Sequence, residues 1–273
     1  MYNRIEEKFR ALRSEKKKAM TCFVTSGDPN FSTSKKIINS LPDFGADIIE
    51  IGLPFSDPMA DGPTIQKSSQ RAIKSGINIE KTLEIVDSFR NKNDHTPIIL
   101  MGYFNPIFQF GLDSFFKRCK KVGVDGLIIV DLPPEEDDLI IKYTSKYNVF
   151  NIRLITPTTD AKRLKKISRS SKGFLYYVSV MGITGTKKPS ISKVKKSVLA
   201  IKKVTNLPIL IGFGINSSKQ TREINKFADG YVIGSAIINL IEDTKYKKYI
   251  DDLYQISRDN DILFCFDEVQ SGI

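Results

Sequence analysis

Two acidic side chains stand where acid–base chemistry would need them. Glu50 interrupts the apolar run Ile48-Ile49-Glu50-Ile51. In a strand, side chains alternate faces, so if Ile49 and Ile51 point outward, Glu50 turns inward. A carboxylate buried there without a partner is costly, and burial raises its pKa until it carries a proton near neutral pH. Position alone equally allows a glutamate paired with a lysine or arginine at the rim. Asp61 lies further along, in a loop stiffened by Pro54, Pro58 and Pro63 but free to turn at Gly52 and Gly62. Loops mounted on a rigid scaffold commonly carry chemistry. The competing reading is that Asp61 or Asp57 only begins the next helix.

The elements that must position these acids follow a regular alternation. Eight short apolar, β-branched runs, at 20–25, 48–51, 97–102, 126–130, 150–155, 174–178, 208–212 and 230–233, are separated by segments of helical period. Runs such as Leu127-Ile128-Ile129-Val130 lack polar alternation, which fits strands covered on both faces. This predicts an α/β chain folded as a (β/α)8 barrel, with residues 1–273 forming one domain. Two helices stand outside the alternation. One covers residues 2–17, with Ile5, Phe9 and Leu12 on one face to close the barrel floor; the other, after the second strand, runs over 63–75 with Pro63 in its first turn. Asp160 is placed to cap a helix ending at Ser170, and Ser217 or Ser218 to cap one ending near Phe227.

Barrel sites are built at the carboxyl ends of strands, with phosphate commonly held after the last two. Gly212-Phe213-Gly214-Ile215 and Gly234-Ser235-Ala236 occupy those places. Either alone reads as a tight turn, but together they favour a phosphorylated ligand held by backbone amides and a helix N-terminus. After the sixth strand, residues 179–189 carry two glycines and a charged tip, the composition of a lid or of an ordinary loop. Lys187 and Lys188 read as solvated side chains, and the only histidine, His95, falls before a strand, away from the site.

Bulk composition narrows the function classes. A charge of +11 raises the question of nucleic acid, but the lysine pairs (35–36, 120–121, 165–166, 195–196, 202–203, 247–248) fall on separate helices with no interleaved aromatics. A nucleic-acid partner is therefore not expected. No run of about 18 apolar residues suggests a membrane span, and the first 18 residues lack the core of a signal peptide. Cys22, Cys119 and Cys265 are far apart, so buried reduced thiols are expected rather than a zinc or redox pair, and no metal cluster stands out.

Residues 49–62, Ile-Glu-Ile-Gly-Leu-Pro-Phe-Ser-Asp-Pro-Met-Ala-Asp-Gly, resemble the signature of the tryptophan synthase alpha chain family. Phe23-Val24-Thr25-Ser26-Gly27-Asp28-Pro29, Met101-Gly102-Tyr103-Phe104-Asn105-Pro106 and Val130-Asp131-Leu132-Pro133 extend the resemblance, which covers roughly 19–240. It implies cleavage of indole-3-glycerol phosphate to indole and glyceraldehyde 3-phosphate in tryptophan biosynthesis. Glu50 then matches the principal acid-base residue and Asp61 the second catalytic carboxylate. Phe23, Met101, Tyr103, Val130, Tyr176 and Phe213 match an indole pocket, though as strand-end residues they could equally be plain core. Gly185, Phe213, Gly214, Gly234 and Ser235 match the phosphate site, and Thr184 would reach Asp61 on lid closure. Departures at Val180 and Phe104, where some members carry a basic residue and a tyrosine or alanine, bear on lid and pocket contacts.

The resemblance further implies a pyridoxal phosphate-dependent beta subunit as partner in an α2β2 assembly, with no cofactor in this chain. It also implies a bacterial cytoplasmic or, if organelle-encoded, plastid stromal setting. The rival readings are another phosphate-binding barrel, such as an indole-glycerol-phosphate synthase or an isomerase, for which a catalytic lysine would be expected, and a non-catalytic activator of a beta subunit. Retention of both acids speaks against the activator.

Overall fold

The computed structural model describes residues 3–178, 190–212, 214–215 and 218–242. Its strands are β1 (Ala19–Thr25), β2 (Ile48–Gly52), β3 (Ile98–Gly102), β4 (Gly126–Ile129), β5 (Phe150–Asn151), β6 (Arg153–Ile155), β7 (Leu175–Val178), β8 (Ile209–Gly212) and β9 (Gly230–Ile233). All pair in parallel in the order β5-β4-β3-β2-β1-β9-β8-β7-β6. The expected fifth strand is thus split. Its first half pairs with β4 and its second with β7, while the Ile152 amide between them donates to the Leu127 carbonyl at 2.8 Å. Strand tilt and stagger in a barrel make such a hand-over natural. Eight runs in sequence therefore become nine assigned strands in a nearly closed (β/α)8 barrel.

Side-chain parity builds two apolar layers. Phe23, Ile48, Ile99, Ile128, Tyr176, Leu210 and Val232 fill the barrel, while Cys22, Val24, Ile49, Ile51, Leu100, Ile129 and Ile211 pack outward under the helices. The outer shell contains α1 (Arg4–Ser14), α2 (Phe31–Ser40), α3 (Pro63–Lys74), α4 (Ile79–Arg90), α5 (Phe104–Phe110), α6 (Leu112–Val122), α7 (Ile141–Tyr147), α8 (Ala161–Ser170), α9 (Ile191–Lys202), α10 (Ser218–Ile224) and α11 (Ser235–Glu242). Both predicted extra helices are present as α1 and α3, the latter with its proline in the first turn. Asp160 caps α8 by accepting from the Arg163 amide at 2.8 Å.

The floor is closed by α1. Its Asn3 cap accepts from the Ile5 amide at 3.0 Å, and Ile5, Phe9 and Leu12 are all buried. Ile5 enters so deeply that a Cβ at Gly126 or Gly173 would lie 3.1 Å from it, a tighter approach than side chains usually make. Beside it, the Asp125 carboxylate accepts from Arg4 Nη1 at 3.0 Å, Arg90 Nη2 at 2.7 Å and the Ile98 amide at 2.9 Å. This cluster ties α1 and α4 to the amino ends of β3 and β4.

The described lysine pairs lie on solvent-facing helix surfaces or helix ends, and His95 is 86% exposed beside Asp94. Cys22 and Cys119 are buried free thiols, and burial pushes Cys22 up to about 12; Cys265 lies outside the described residues. Among the described residues no helix is long and apolar enough to cross a membrane.

Candidate active site

Glu50 occupies the middle of β2, in register between Phe23 of β1 and Ile99 of β3. Both neighbours belong to the inner layer, so the glutamate points into the barrel as parity predicts. It is 0% exposed, and neither carboxylate oxygen has a hydrogen-bond partner. The rim ion pair that position alone allowed is therefore not formed among the described residues. Burial first, and the nearby Asp61 charge second, push Glu50 up to about 8. At neutral pH it is a neutral acid holding its proton.

Asp61 comes from the segment between β2 and α3. Its main chain is fixed on both sides, the amide donating to Pro58 at 3.1 Å and the carbonyl accepting from Gln66 Nε2 at 2.9 Å. Gly62, not an aspartate, occupies the cap of α3, without any side-chain cap bond. Asp57 meanwhile accepts from Ser56. Neither aspartate therefore serves as helix punctuation. Instead, Asp61 Oδ2 accepts from the Tyr103 hydroxyl at 3.2 Å, and that hydroxyl accepts from the Ala60 amide at 2.9 Å. Burial pushes Asp61 up to about 6, with the Tyr103 bond opposing the rise. The two acids thus differ by roughly two units, enough to hold one protonated and one ionised between their values.

Asp61 lines a narrow cleft together with Phe23, Met101, Tyr103 and Val130, all anticipated from sequence. Across the barrel, Tyr176 is buried and lies so close over Gly212 that a Cβ there would meet its hydroxyl at 2.3 Å. Burial, then the charges of Glu50 and Asp61, drive the Tyr176 phenol far up. Gly214, expected from sequence at a phosphate, follows β8 in the left-handed region (φ 75°). A Cβ on Gly234, directly after β9, would sit 3.4 Å from that of Phe23, and Ser235 opens α11. Thr184, Gly185 and Phe213, with the whole of 179–189 and Ser217, lie outside the described residues.

Several lining residues were not anticipated: Thr25, Leu53, Ile65 and Ser69. Parity would have found Thr25, which shares a face with Phe23, and helical spacing would have paired Ile65 with Ser69. A second unanticipated feature lies behind the cleft. The buried Asp28 carboxylate accepts from Arg71 Nε at 2.7 Å, Arg71 Nη2 at 2.8 Å and the Ser68 hydroxyl at 2.6 Å, bracing α3 against the loop after β1. In that loop Gly27 has φ 76°, and a Cβ there would fall 1.8 Å from Ile77, so only glycine fits. Among the described residues no group of three or more acidic, histidine or cysteine side chains could hold a metal.

Residues 9–260 match the family model of the tryptophan synthase alpha chain. Among solved structures, tryptophan synthase subunit alpha from Legionella pneumophila str. Paris is 38% identical over 91% of this chain and 92% of its own, with a TM-score of 0.85. A chain from Aquifex aeolicus VF5 is likewise 38% identical, over 90% of this chain and 94% of its own, with a TM-score of 0.84. Tryptophan synthase from M. tuberculosis in an aminoacrylate-bound form is 28% identical over 88% and 93%, with a TM-score of 0.81. A model matching most of the chain, a barrel shared with these proteins and two inward carboxylates of unequal acidity lead to one assignment: the chain belongs to the tryptophan synthase alpha chain family.

Proposed function

We propose that Glu50 and Asp61 divide the acid–base work of the family's reaction, the cleavage of indole-3-glycerol phosphate to indole and glyceraldehyde 3-phosphate. The chain is a lyase of tryptophan biosynthesis, as its family membership implies. Opening the bond between indole C3 and the glycerol carbon requires C3 to be protonated first, so that the ring can take back the electron pair. Glu50, neutral and without competing partners, delivers that proton. Positive charge then grows at the indole nitrogen, where ionised Asp61 accepts the N–H bond and stabilises it. Glu50, now a carboxylate, takes the glycerol hydroxyl proton as the carbonyl forms and the C–C bond breaks. The apolar wall of Phe23, Met101, Tyr103, Val130 and Tyr176, which Phe213 is proposed to join, suits the flat bicycle, and a dry wall strengthens both electrostatic contacts.

The phosphate is proposed to lie on Gly214, Gly234 and Ser235, with Gly185 and Phe213, where backbone amides and the start of α11 offer partial positive charge. Thr184 is proposed to reach Asp61 from the loop at 179–189. The family's alpha chain carries no cofactor, and pyridoxal phosphate belongs to the beta subunit with which it pairs. For this chain the assembly is proposed to be α2β2, docked through the rim around 54–57 and 105–108. Met59 and Phe108, 71% and 54% exposed, are large apolar side chains at that rim, which supports the reading. We read the chain as one barrel domain working in bacterial cytoplasm or plastid stroma.

The observation that carries the proposal is Glu50, wholly buried with both oxygens unpartnered and within the electrostatic reach of Asp61. Indole release from indole-3-glycerol phosphate, measured with and without a beta subunit, tests it. Slow turnover alone and faster turnover in the complex are expected; release of no indole under either condition refutes the activity, and equal rates refute the partner's role.

A further inference from the structure

We propose that Tyr103 is a positioning residue that keeps Asp61 in its anionic form and, through the charge of Asp61, keeps Glu50 in its acidic form. This role is distinct from walling the indole pocket, and it rests on the division of labour proposed above.

A phenol has one proton to give. The Ala60 amide donates to the Tyr103 oxygen at 2.9 Å, so the hydroxyl's acceptor side is engaged and its proton is left for Asp61 Oδ2 at 3.2 Å. The amide thereby fixes the direction of the second bond. Burial, first of all, drives the phenol far up, so Tyr103 remains a donor rather than an anion. A donor aimed at a carboxylate stabilises the charged form more than the neutral one.

The donor is itself held in place. The Phe104 amide donates to Asp131 Oδ1 at 2.8 Å, locking the turn into α5, and the Tyr103 ring lies 5.1 Å from that of Phe55. Among the described residues, the titratable groups that feel the Asp61 charge are Glu50 from β2, Tyr103 after β3 and Tyr176 from β7, with Asp131 acting on Tyr103 from beyond β4. None of these is cationic. Of the influences on Asp61, burial raises its pKa and the Tyr103 bond lowers it. Loss of the hydroxyl should therefore bring the two acids closer together by raising the lower one, while the upper one, which titrates with Asp61 already ionised, changes little.

The test is the pH dependence of kcat/KM for indole release by the intact chain with its beta subunit, comparing parent with Tyr103→Phe. The substrate phosphate titrates alike for both, so differences between the curves belong to the protein. The acid limb should rise by about one pH unit, while the alkaline limb, set with Asp61 already ionised, should stay nearly where it is, narrowing the bell from its acid side. A uniform drop with both limbs unmoved would overturn the proposal, because a purely packing role lowers the curve without reshaping it. Replacing Tyr103 with 3-fluorotyrosine, which keeps the ring and strengthens the donor, should move the acid limb down; no movement, or a rise, also overturns it. If the parent shows no limb that vanishes in Glu50→Gln or Asp61→Asn, the carboxylate reading itself fails, whatever Tyr103 does.

Discussion

Two carboxylates buried at opposite ends of the same barrel have opposite surroundings. Asp125, 3% exposed at the amino end, is held by two guanidinium groups and a backbone amide. Glu50, 0% exposed toward the carboxyl end, has no partner at either oxygen. Satisfied burial fixes the floor: Asp125 ties the helix that plugs the barrel to the strands it plugs. Unsatisfied burial does the reverse, spending stability on an acid that keeps its proton and, in the proposed mechanism, gives it to substrate. Stability gathered at one end and reactivity at the other is the division barrels generally show.

The sharpest way to break the comparison is Glu50→Gln. Indole release should fall by about 10²- to 10⁴-fold, the usual contribution of a positioned acid-base group. Stability should move the other way. Below the ordinary value of 4.5 both folded and unfolded chains hold this proton, so ionisation costs nothing. Between there and about 8, the unfolded chain releases a proton that the folded chain keeps, so stability falls steadily as pH rises. Glutamine removes that slope, raising stability at pH 8 by as much as about 4–5 kcal/mol, which denaturant unfolding at pH 5 and pH 8 would reveal. A variant that is no more stable at pH 8 would mean that Glu50 is not desolvated.

Asp61→Asn should cost roughly 10²- to 10³-fold in kcat, because an amide offers no negative charge to the developing cation. Single-turnover kinetics would show the loss in the chemical step, and an effect confined to KM would remove Asp61 from the chemistry. At the other end, Asp125→Ala should destabilise by about 3–5 kcal/mol by leaving Arg90 buried and short of its partner. Its folded fraction should still release indole within roughly threefold of the parent, since distant, unlinked sites act nearly independently. The smallest effect is expected for Ile5→Ala, which opens a cavity in the floor at a cost of about 2–4 kcal/mol, read from the shift in unfolding midpoint. If Asp125→Ala abolished turnover while remaining folded, the two ends would not be separable.

Much of this contrast was legible in the sequence, for reasons particular to each residue. Period two turned Glu50 inward on the condition that Ile49 and Ile51 met the helices, but could not tell an unpartnered acid from one paired at the rim. Amphipathic spacing gave α1 its floor role through Ile5, Phe9 and Leu12. The break at Ile152 was not legible, since it depends on how barrel stagger shares one strand between two neighbours. Nor were the bonds from Tyr103 to Asp61 or from Arg71 to Asp28, which join residues some forty positions apart and arise only when neighbouring β-α units pack side by side. Pattern finds which face a side chain takes; its partner on the next unit is a product of tertiary packing.

Carbon-13 labelling of the glutamate side chains, with the Glu50 signal assigned by its loss in Glu50→Gln, would follow this carboxyl directly through a pH titration of the free chain. A midpoint near 8 is predicted, the value set by burial and the Asp61 charge. A midpoint between 4 and 5, that of an ordinary solvated glutamate, would show Glu50 already ionised at neutral pH and unable to donate the proton on which the cleavage depends.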